Sequence, residues 1–125
     1  MQFERHSGPE VVPLWLTDPV KRLVQQQCFQ QKLETGLCFV SLPGSGAALF
    51  SVDCPEGDPQ HASEVIQAAR RLNTSPHFLS AMLGTHLHFP VIRGQLYTAT
   101  WQEIVMVDFV DAPRTHTIHV RVLQS

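Results

Sequence analysis

Apolar and polar residues alternate near the C-terminus, and this alternation predicts a β-strand over residues 115–123. Ile118, Val120 and Val122 fall on one side of an extended chain, whereas His119 falls on the other side. A strand with one apolar and one polar side belongs to a sheet that packs one face on a core. The last strands of the chain are therefore expected to form an antiparallel sheet.

Other apolar segments predict further strands. The segments 37–42 and 47–52 flank a Pro-Gly-Ser-Gly loop and are predicted to pair with each other. Residues 103–110 are strongly apolar, which predicts a buried strand.

A tight hairpin is predicted between these regions. Residues 86–92 form its first strand, Arg93-Gly94 its turn and residues 95–100 its second strand. Pro90 has no N–H to donate to a neighbouring strand, so this strand is expected to lie at a sheet edge there.

Three segments with apolar residues at helical spacing predict helices. Each begins with a capping residue followed by proline, because a short oxygen-bearing side chain accepts from free N–H groups and proline fits the first turn. The capping residues are Asp18, Asp58 and Ser75, and Gly84 ends the third helix.

Central helices followed by a series of strands predict an α+β fold. We expect a compact single domain over residues 1–125, with one or more antiparallel sheets and two to three helices. Residues 1–13 are expected to form an N-terminal strand or arm.

Composition narrows the class of partner. Charged residues make up 16% of the chain, against about 25% in an average soluble domain, which favours a surface partly covered by other subunits. The nine Lys and Arg residues are scattered and the net charge is -2, so nucleic acid is not an expected partner. No apolar run reaches the roughly 20 residues that cross a bilayer, and the first residues lack the apolar part of a signal peptide. We expect no membrane partner and a cytoplasmic location.

The three cysteines are Cys28, Cys38 and Cys54. An odd number at wide spacing fits neither a disulfide framework nor a zinc site. Each is expected to be a small buried hydrophobic residue. Cys54 lies in a turn-like segment and is the candidate for thiol reactivity.

Several segments resemble motifs of the YjbQ-like family, and their order and spacing make the match more specific than any one of them. In the C-terminal half, these are the runs 82–96, 100–104 (Thr-Trp-Gln-Glu-Ile) and 108–114 (an acidic-Phe…Pro-Arg turn). Upstream, 36–38 and 43–49 resemble the family's first hairpin. The resemblance covers roughly residues 14 to 123.

The resemblance implies a compact α+β subunit that assembles as a homotrimer and has secondary thiamine-phosphate synthase activity. That reaction joins a pyrimidine pyrophosphate to a thiazole phosphate and releases pyrophosphate. Negative charge develops on the departing pyrophosphate, so the site needs cations or N–H donors that stabilise this charge. The family's pocket motifs match His77, Trp101, Gln102 and Arg114 here. The small-molecule partner implied is a phosphorylated ligand, and a bound phosphate or a divalent metal ion is compatible with this chemistry.

The residues themselves support an anion site in part. His77 follows a predicted helix start, where it is the candidate catalytic acid or phosphate donor; the alternative is a surface histidine. Backbone N–H groups of Gly44, Ser45 and Gly46 are candidates for a phosphate cradle, and the alternative is an ordinary hairpin loop. Arg93 is a further candidate cation.

The Trp-Gln and Pro-Arg motifs have two interpretations each. Gln102 either orients a ligand beside a wall formed by Trp101, or satisfies buried backbone groups while Trp101 anchors a core or subunit interface. Arg114 either binds a phosphate or carboxylate, or pairs with Asp111 or with an acid of the next subunit.

A metal site is a further hypothesis. His86 and His88 lie two apart on a predicted strand and share a face, a spacing that suits two ligands to zinc, copper or nickel. His116, His119 or Asp108 would supply the third ligand. The alternative is an outward polar face on which the two histidines bind nothing.

Three functions therefore stay open. The first is a phosphate- or pyrophosphate-binding enzyme with thiamine-phosphate-synthase-like side activity. The second is a homo-oligomeric ligand-binding or structural protein without catalysis, favoured because the family has a histidine at Gly44, a lysine at Leu79 and a longer polar stretch before His77. The third is a metal-binding module on the His86/His88 strand.

Overall fold

In the computed structural model, the described residues 1–124 form eight β-strands and three α-helices. Ser125, the last residue of the predicted domain, lies outside them. The strands are β1 (Gln2–Ser7), β2 (Leu14–Trp15), β3 (Thr35–Ser41), β4 (Ala47–Asp53), β5 (His86–Ile92), β6 (Gln95–Leu96), β7 (Gln102–Asp108) and β8 (Arg114–Gln124). The helices are α1 (Thr17–Gln31), α2 (Gln60–Leu72) and α3 (Pro76–Leu83). The predicted α+β fold with antiparallel sheets is confirmed.

Within these residues the strands form two antiparallel sheets, a five-stranded one in the order β1-β8-β3-β5-β6 and a three-stranded one in the order β2-β7-β4. The predicted pairing of 37–42 with 47–52 is wrong, because β3 pairs with β5 and β8 whereas β4 pairs with β7. The burial patterns explain the difference. Only alternate residues of β3 are buried, but the first four residues of β4 are all buried, so β4 needs a packing layer on both sides.

Two hydrophobic cores lie on opposite sides of the three-stranded sheet. Ile104 and Met106 of β7 face the first core, which α1 and the inner face of the five-stranded sheet complete. Val105 and Val107 face the second core, which α2 and α3 cover. Among residues 1–124, the side chains of β3 and β5 that point away from this core are exposed or half-buried, so the outer face of the five-stranded sheet has no covering layer there.

The predicted β5–β6 turn is confirmed, but β5 is not the edge strand: β6 lies outside it, and its pairing with β5 begins at Val91, the residue after Pro90. Arg93 and Gly94 both have positive φ, 56° and 72°, as a two-residue turn of the type I′ kind requires. The Pro90 carbonyl accepts from Tyr97 N at 2.9 Å, so the nitrogen side of Pro90 faces away from β3. The second strand is shorter than the predicted 95–100, because Ala99 N donates to the Gln102 side chain instead of to a strand.

The predicted Ser75 cap is present, whereas Asp58 lies one residue before the N-cap of α2, Pro59, and still accepts a hydrogen bond from the first residue of that helix. Ser75 Oγ accepts from Phe78 N at 3.4 Å, and Asp58 Oδ1 accepts from Gln60 N at 3.0 Å. The predicted Asp18 cap is wrong, since α1 begins at Thr17 and has no side-chain cap. Thr17 Oγ1 instead accepts from Ile104 N at 2.9 Å, which fixes the helix start to β7.

All three cysteines are buried free thiols, as predicted. Burial raises the pKa of Cys54, and the side chain is only 1% exposed. Burial and the neighbouring Cys28 raise the pKa of Cys38 to about 12. The expectation that Cys54 is reactive is therefore wrong, because the nucleophile is the thiolate and a buried thiol is inert.

None of the helices described here has the length and apolar character needed to cross a membrane.

Gly36 marks the closest approach of β3 to β8. A Cβ there would lie 2.2 Å from the Leu123 carbonyl oxygen, a backbone atom that cannot move alone. We predict that Gly36→Ala lowers the free energy of unfolding by about 2 kcal/mol, in the range of overpacking substitutions. Urea denaturation measures it. Gly8→Ala is the control, because nothing lies within 4 Å of its Cβ position, and a loss for Gly36→Ala no larger than this control would contradict the packing described.

Candidate functional site

Asp108, the last residue of β7, carries a carboxylate that is almost fully buried between the two sheets. Its Oδ2 accepts from Ser7 Oγ at 3.0 Å and from Arg114 Nε at 2.8 Å, and His116 Nε2 lies 2.8 Å away. Its Oδ1 accepts from Arg114 Nη2 at 2.7 Å and from Val110 N at 2.9 Å. We call these four side chains, Ser7, Asp108, Arg114 and His116, the Asp108 cluster.

The cluster holds the Asp108 carboxylate ionised. Burial alone would raise its pKa, but the hydrogen bonds from Arg114, Val110 N, His116 and Ser7 outweigh burial and lower it. The same contact raises the pKa of Arg114. An ionised carboxylate only accepts, so His116 carries a proton on Nε2. With both oxygens occupied by donors, Asp108 serves to position its neighbours rather than to take a proton from a substrate.

The Pro-Gly-Ser-Gly loop reaches the cluster through Arg114. Arg114 Nη2 donates to the Ser45 carbonyl at 3.1 Å, and Phe109 N donates to the Gly46 carbonyl at 2.8 Å. Gly46 is buried with φ +85°. A Cβ at Gly46 would lie 3.2 Å from Arg114 Nη2 and 3.5 Å from Pro76 Cβ. The loop, Arg114 and the first residue of α3 therefore meet at one point, which only glycine fits.

His77 is the second residue of α3, next to this junction, and its side chain is exposed. Ser80, one turn further on, is buried and donates to the Ala47 carbonyl, which fixes α3 against the strand that follows the loop. Of the predicted site residues, the structure thus brings Ser45, Gly46 and Arg114 into contact, and it places Pro76, the residue before His77, beside Gly46.

Trp101 and Gln102 lie at the other end of β7, six residues or roughly 20 Å from Asp108. Gln102 Oε1 accepts from Ala99 N at 3.1 Å, and its Nε2 donates to Ser51 Oγ at 2.6 Å. Both ends of the amide are therefore used within the chain, but the backbone group that it satisfies, Ala99 N, is exposed rather than buried. The Trp101 side chain is 48% exposed, so it is not a core anchor.

The histidines proposed for a metal site do not converge. His86 and His88 point outward from β5, and His119 points outward two strands away, with Ser41 between it and His86. His116 faces the interior and binds Asp108. Among residues 1–124, no three His, Cys, Asp or Glu side chains are grouped to hold a metal ion.

Arg114 does pair with an acid, but Asp111 is the wrong partner. Asp111 lies in the exposed turn before β8, whereas the strand directs Arg114 inward, opposite Ser7, to meet Asp108. The pairing of Ser7 and His116 with Asp108 was not expected from sequence. The position of His116 could have been predicted, since it lies two residues before Ile118 on the same strand and therefore on the same inward face. Ser7 lies in a polar segment whose sequence does not indicate a buried side chain.

We predict that Asp108→Asn lowers the free energy of unfolding by about 3 kcal/mol at pH 7, because it leaves buried donors without their charged acceptor. The pKa of Asp108 is lower in the folded state than its unfolded value of about 3.9. The ionised carboxylate therefore stabilises the fold at pH values above about 3.9, and this stabilisation is lost as the pH falls through the folded pKa. The gap between wild type and variant should therefore be full at pH 6 and shrink below pH 4 in urea titrations. Asp111→Asn is the control and should change stability by less than about 0.5 kcal/mol. A gap that stays constant down to pH 2.5 would contradict this account.

Comparison with known proteins identifies the family that has this architecture. The family model described as UPF0047 protein YjbQ-like matches residues 2–125. A UPF0047 protein of Archaeoglobus fulgidus is 27% identical over 98% of this chain and 100% of its own length.

Solved structures share the fold. A YbjQ-like protein of unknown function from Sulfolobus solfataricus superposes with a TM-score of 0.75 at 21% identity, over 100% of this chain and 97% of the other. A conserved hypothetical protein from Thermus thermophilus gives a TM-score of 0.75 at 22% identity, over 98% and 99% of the two chains. With the match of the family model along nearly the whole sequence, these similarities show that the chain belongs to the YjbQ-like UPF0047 family.

Proposed function

We propose that this protein binds the phosphate or pyrophosphate group of a small molecule where the 43–46 loop meets Arg114 and the start of α3. The observation that carries the proposal is the position of Gly46, whose missing Cβ would lie 3.2 Å from Arg114 Nη2 and 3.5 Å from Pro76 Cβ. The nearest atom to that missing Cβ is Val110 Cγ2 at 2.8 Å, so the loop packs tightly here beside the guanidinium and the positive end of α3. We propose that the loop N–H groups complete the set of donors for the anion.

Arg114 keeps donors for a ligand despite its ion pair. Its Nε and Nη2 are used by Asp108 and Ser45, but its Nη1 has no hydrogen-bond partner among the described residues. The side chain is 33% exposed, so this nitrogen is within reach of solvent and of an anion. Asp108 in turn fixes the guanidinium plane, which lowers the entropy lost when an anion binds.

We propose His77 as the group that acts on the ligand. At the exposed start of α3, a protonated imidazole would donate to a departing pyrophosphate and neutralise its developing charge. The reaction that this arrangement suits is the thiamine-phosphate-synthase-like transfer implied by the family resemblance, as a side activity. The three free, buried cysteines support a reducing, cytoplasmic location for it.

A thermal-shift titration with pyrophosphate and with thiamine phosphate tests this proposal. A ligand at about 100 times its Kd stabilises the fold by about 2.7 kcal/mol, or a few degrees in Tm. We expect this shift in wild type and a smaller one in His77→Ala. His86→Ala is the matched control, since it removes an exposed histidine of β5 that is not part of the loop, of β8 or of α3. No shift in wild type, or equal shifts in the two variants, would overturn the proposal.

A second proposal concerns the assembly of several copies of this chain. It also applies if the protein is a homo-oligomeric ligand-binding or structural protein without catalysis. Leu37, Phe39, Ile92 and Leu123 lie on the outer face of the five-stranded sheet and are 40–43% exposed. Leu37 is directly opposite Leu123 on one side and Pro90 on the other, so the apolar surface is continuous across three strands. A contiguous exposed patch of this kind marks an interaction surface. We propose that copies of this chain associate through it, as the homotrimer that the family resemblance implies.

Light scattering tests the assembly. We expect wild type near three times the 14.0 kDa of one chain, and Leu37→Glu near one times that mass, because a buried unpaired charge opposes association. Leu72→Glu is the control, since Leu72 is 73% exposed on α2, away from this face. A monomeric wild type at micromolar concentration, or an unchanged mass for Leu37→Glu, would contradict the proposal.

A further inference from the structure

A cavity of about 670 Å³ opens between the C-terminal end of α1 and the β5–β6 turn, at the end of β5 remote from α3. Its volume lies within the roughly 300–1,000 Å³ typical of small-molecule sites. The lining side chains used below are those of Cys28, Phe29, Lys32, Leu33, Glu34 and Arg93. The function proposed above does not use any of them.

Backbone hydrogen bonds fix the two walls of the cavity to each other. Leu33 N donates to the Cys28 carbonyl at 2.9 Å and Lys32 N to the Phe29 carbonyl at 3.3 Å, which closes the end of α1. Gly94 N donates to the Glu34 carbonyl at 3.0 Å, which ties the turn to this helix end. The cavity is therefore part of the fold rather than a gap between loose segments.

The two cationic residues that line the cavity both have a left-handed backbone conformation. Lys32 has φ 52° and Arg93 has φ 56°, a left-handed conformation in which the Cβ of an L-residue lies too close to the backbone. Glycine is usual at both the position after a helix and in a type I′ turn. Glu56 is the one other non-glycine residue with positive φ among residues 1–124. Strained conformations of this kind cluster at ligand sites, and here two of them place their side chains on the same cavity.

The walls combine an aromatic surface with an excess of positive charge. The Phe29 side chain is 87% exposed, whereas Cys28 and Leu33 are buried. Lys32 and Arg93 outnumber the single carboxylate of Glu34, and none of the three forms a salt bridge within the described residues. The two cations and the one carboxylate leave a net charge of one positive unit on the cavity walls. The C-terminal end of α1 carries about half a negative charge, so the walls remain positive.

We propose that this cavity binds a planar aromatic ring that carries one anionic group. The ring packs against Phe29, which offers a free face for stacking, and the anionic group accepts hydrogen bonds from Arg93 and Lys32. The site is independent of the proposed phosphate site, so either one stands if the other fails.

Calorimetric titration with 2-naphthoate, a planar aromatic carboxylate, tests the proposal against neutral 2-naphthalenemethanol. We expect saturable binding of naphthoate to wild type, and binding at least about tenfold weaker for the neutral compound, since a charge-assisted hydrogen bond contributes that much. Arg93→Gly and Lys32→Gly should each weaken naphthoate binding at least about tenfold while Tm stays equal or rises, because glycine relieves the backbone strain. Phe29→Ser should weaken the binding of both compounds.

Glu56→Gly is the matched control, because it relieves the same kind of backbone strain outside the cavity and should leave naphthoate binding unchanged. No saturable binding to wild type, equal binding of the neutral compound, or wild-type affinity in Arg93→Gly would each overturn the proposal. A lower mass for Phe29→Ser in light scattering would also overturn it, since the cavity would then be a contact between copies of this chain.

Discussion

The buried Asp108 carboxylate ties the two sheets of this protein together by hydrogen bonds. It extends from β7 of the three-stranded sheet and accepts from Ser7 of β1 and Arg114 of β8 in the five-stranded sheet. The sheets also pack on each other through apolar side chains of the first core, whose contacts are non-directional and tolerate sliding. A buried carboxylate that must keep all its donors permits one arrangement, so it sets how the sheets stack at this end.

The candidate anion site depends on the same carboxylate. Asp108 orients the guanidinium of Arg114, Arg114 donates to the Ser45 carbonyl, and Gly46 lets the loop close on Pro76 at the start of α3. Each step is short-ranged, but together they bring the loop, strand β8 and helix α3 to one point. The site is built from residues far apart in sequence, on elements that are separately anchored in the cores.

Much of the fold could be predicted because burial imposes a period on the sequence. The alternation of Ile118, Val120 and Val122 gave β8, and Ser75 and Gly84 bounded α3 as capping chemistry requires. What could not be predicted depends on distant contacts. Arg114 has Asp111 three residues away, yet it binds Asp108 six residues away across the sheets. Only the stacking of the sheets, which no local pattern encodes, decides between those two acids.

We propose that the 43–46 loop, α3 and Arg114 form one anion site held by Asp108. Backbone amide NMR during titration with pyrophosphate tests it most directly, since it reports where an anion binds without any substitution. If the anion binds there, the largest chemical-shift changes are expected at Gly44, Ser45, Gly46 and His77, and the Trp101 indole signal should not shift. Changes centred on Trp101 instead, or no saturable change at the loop, would contradict it.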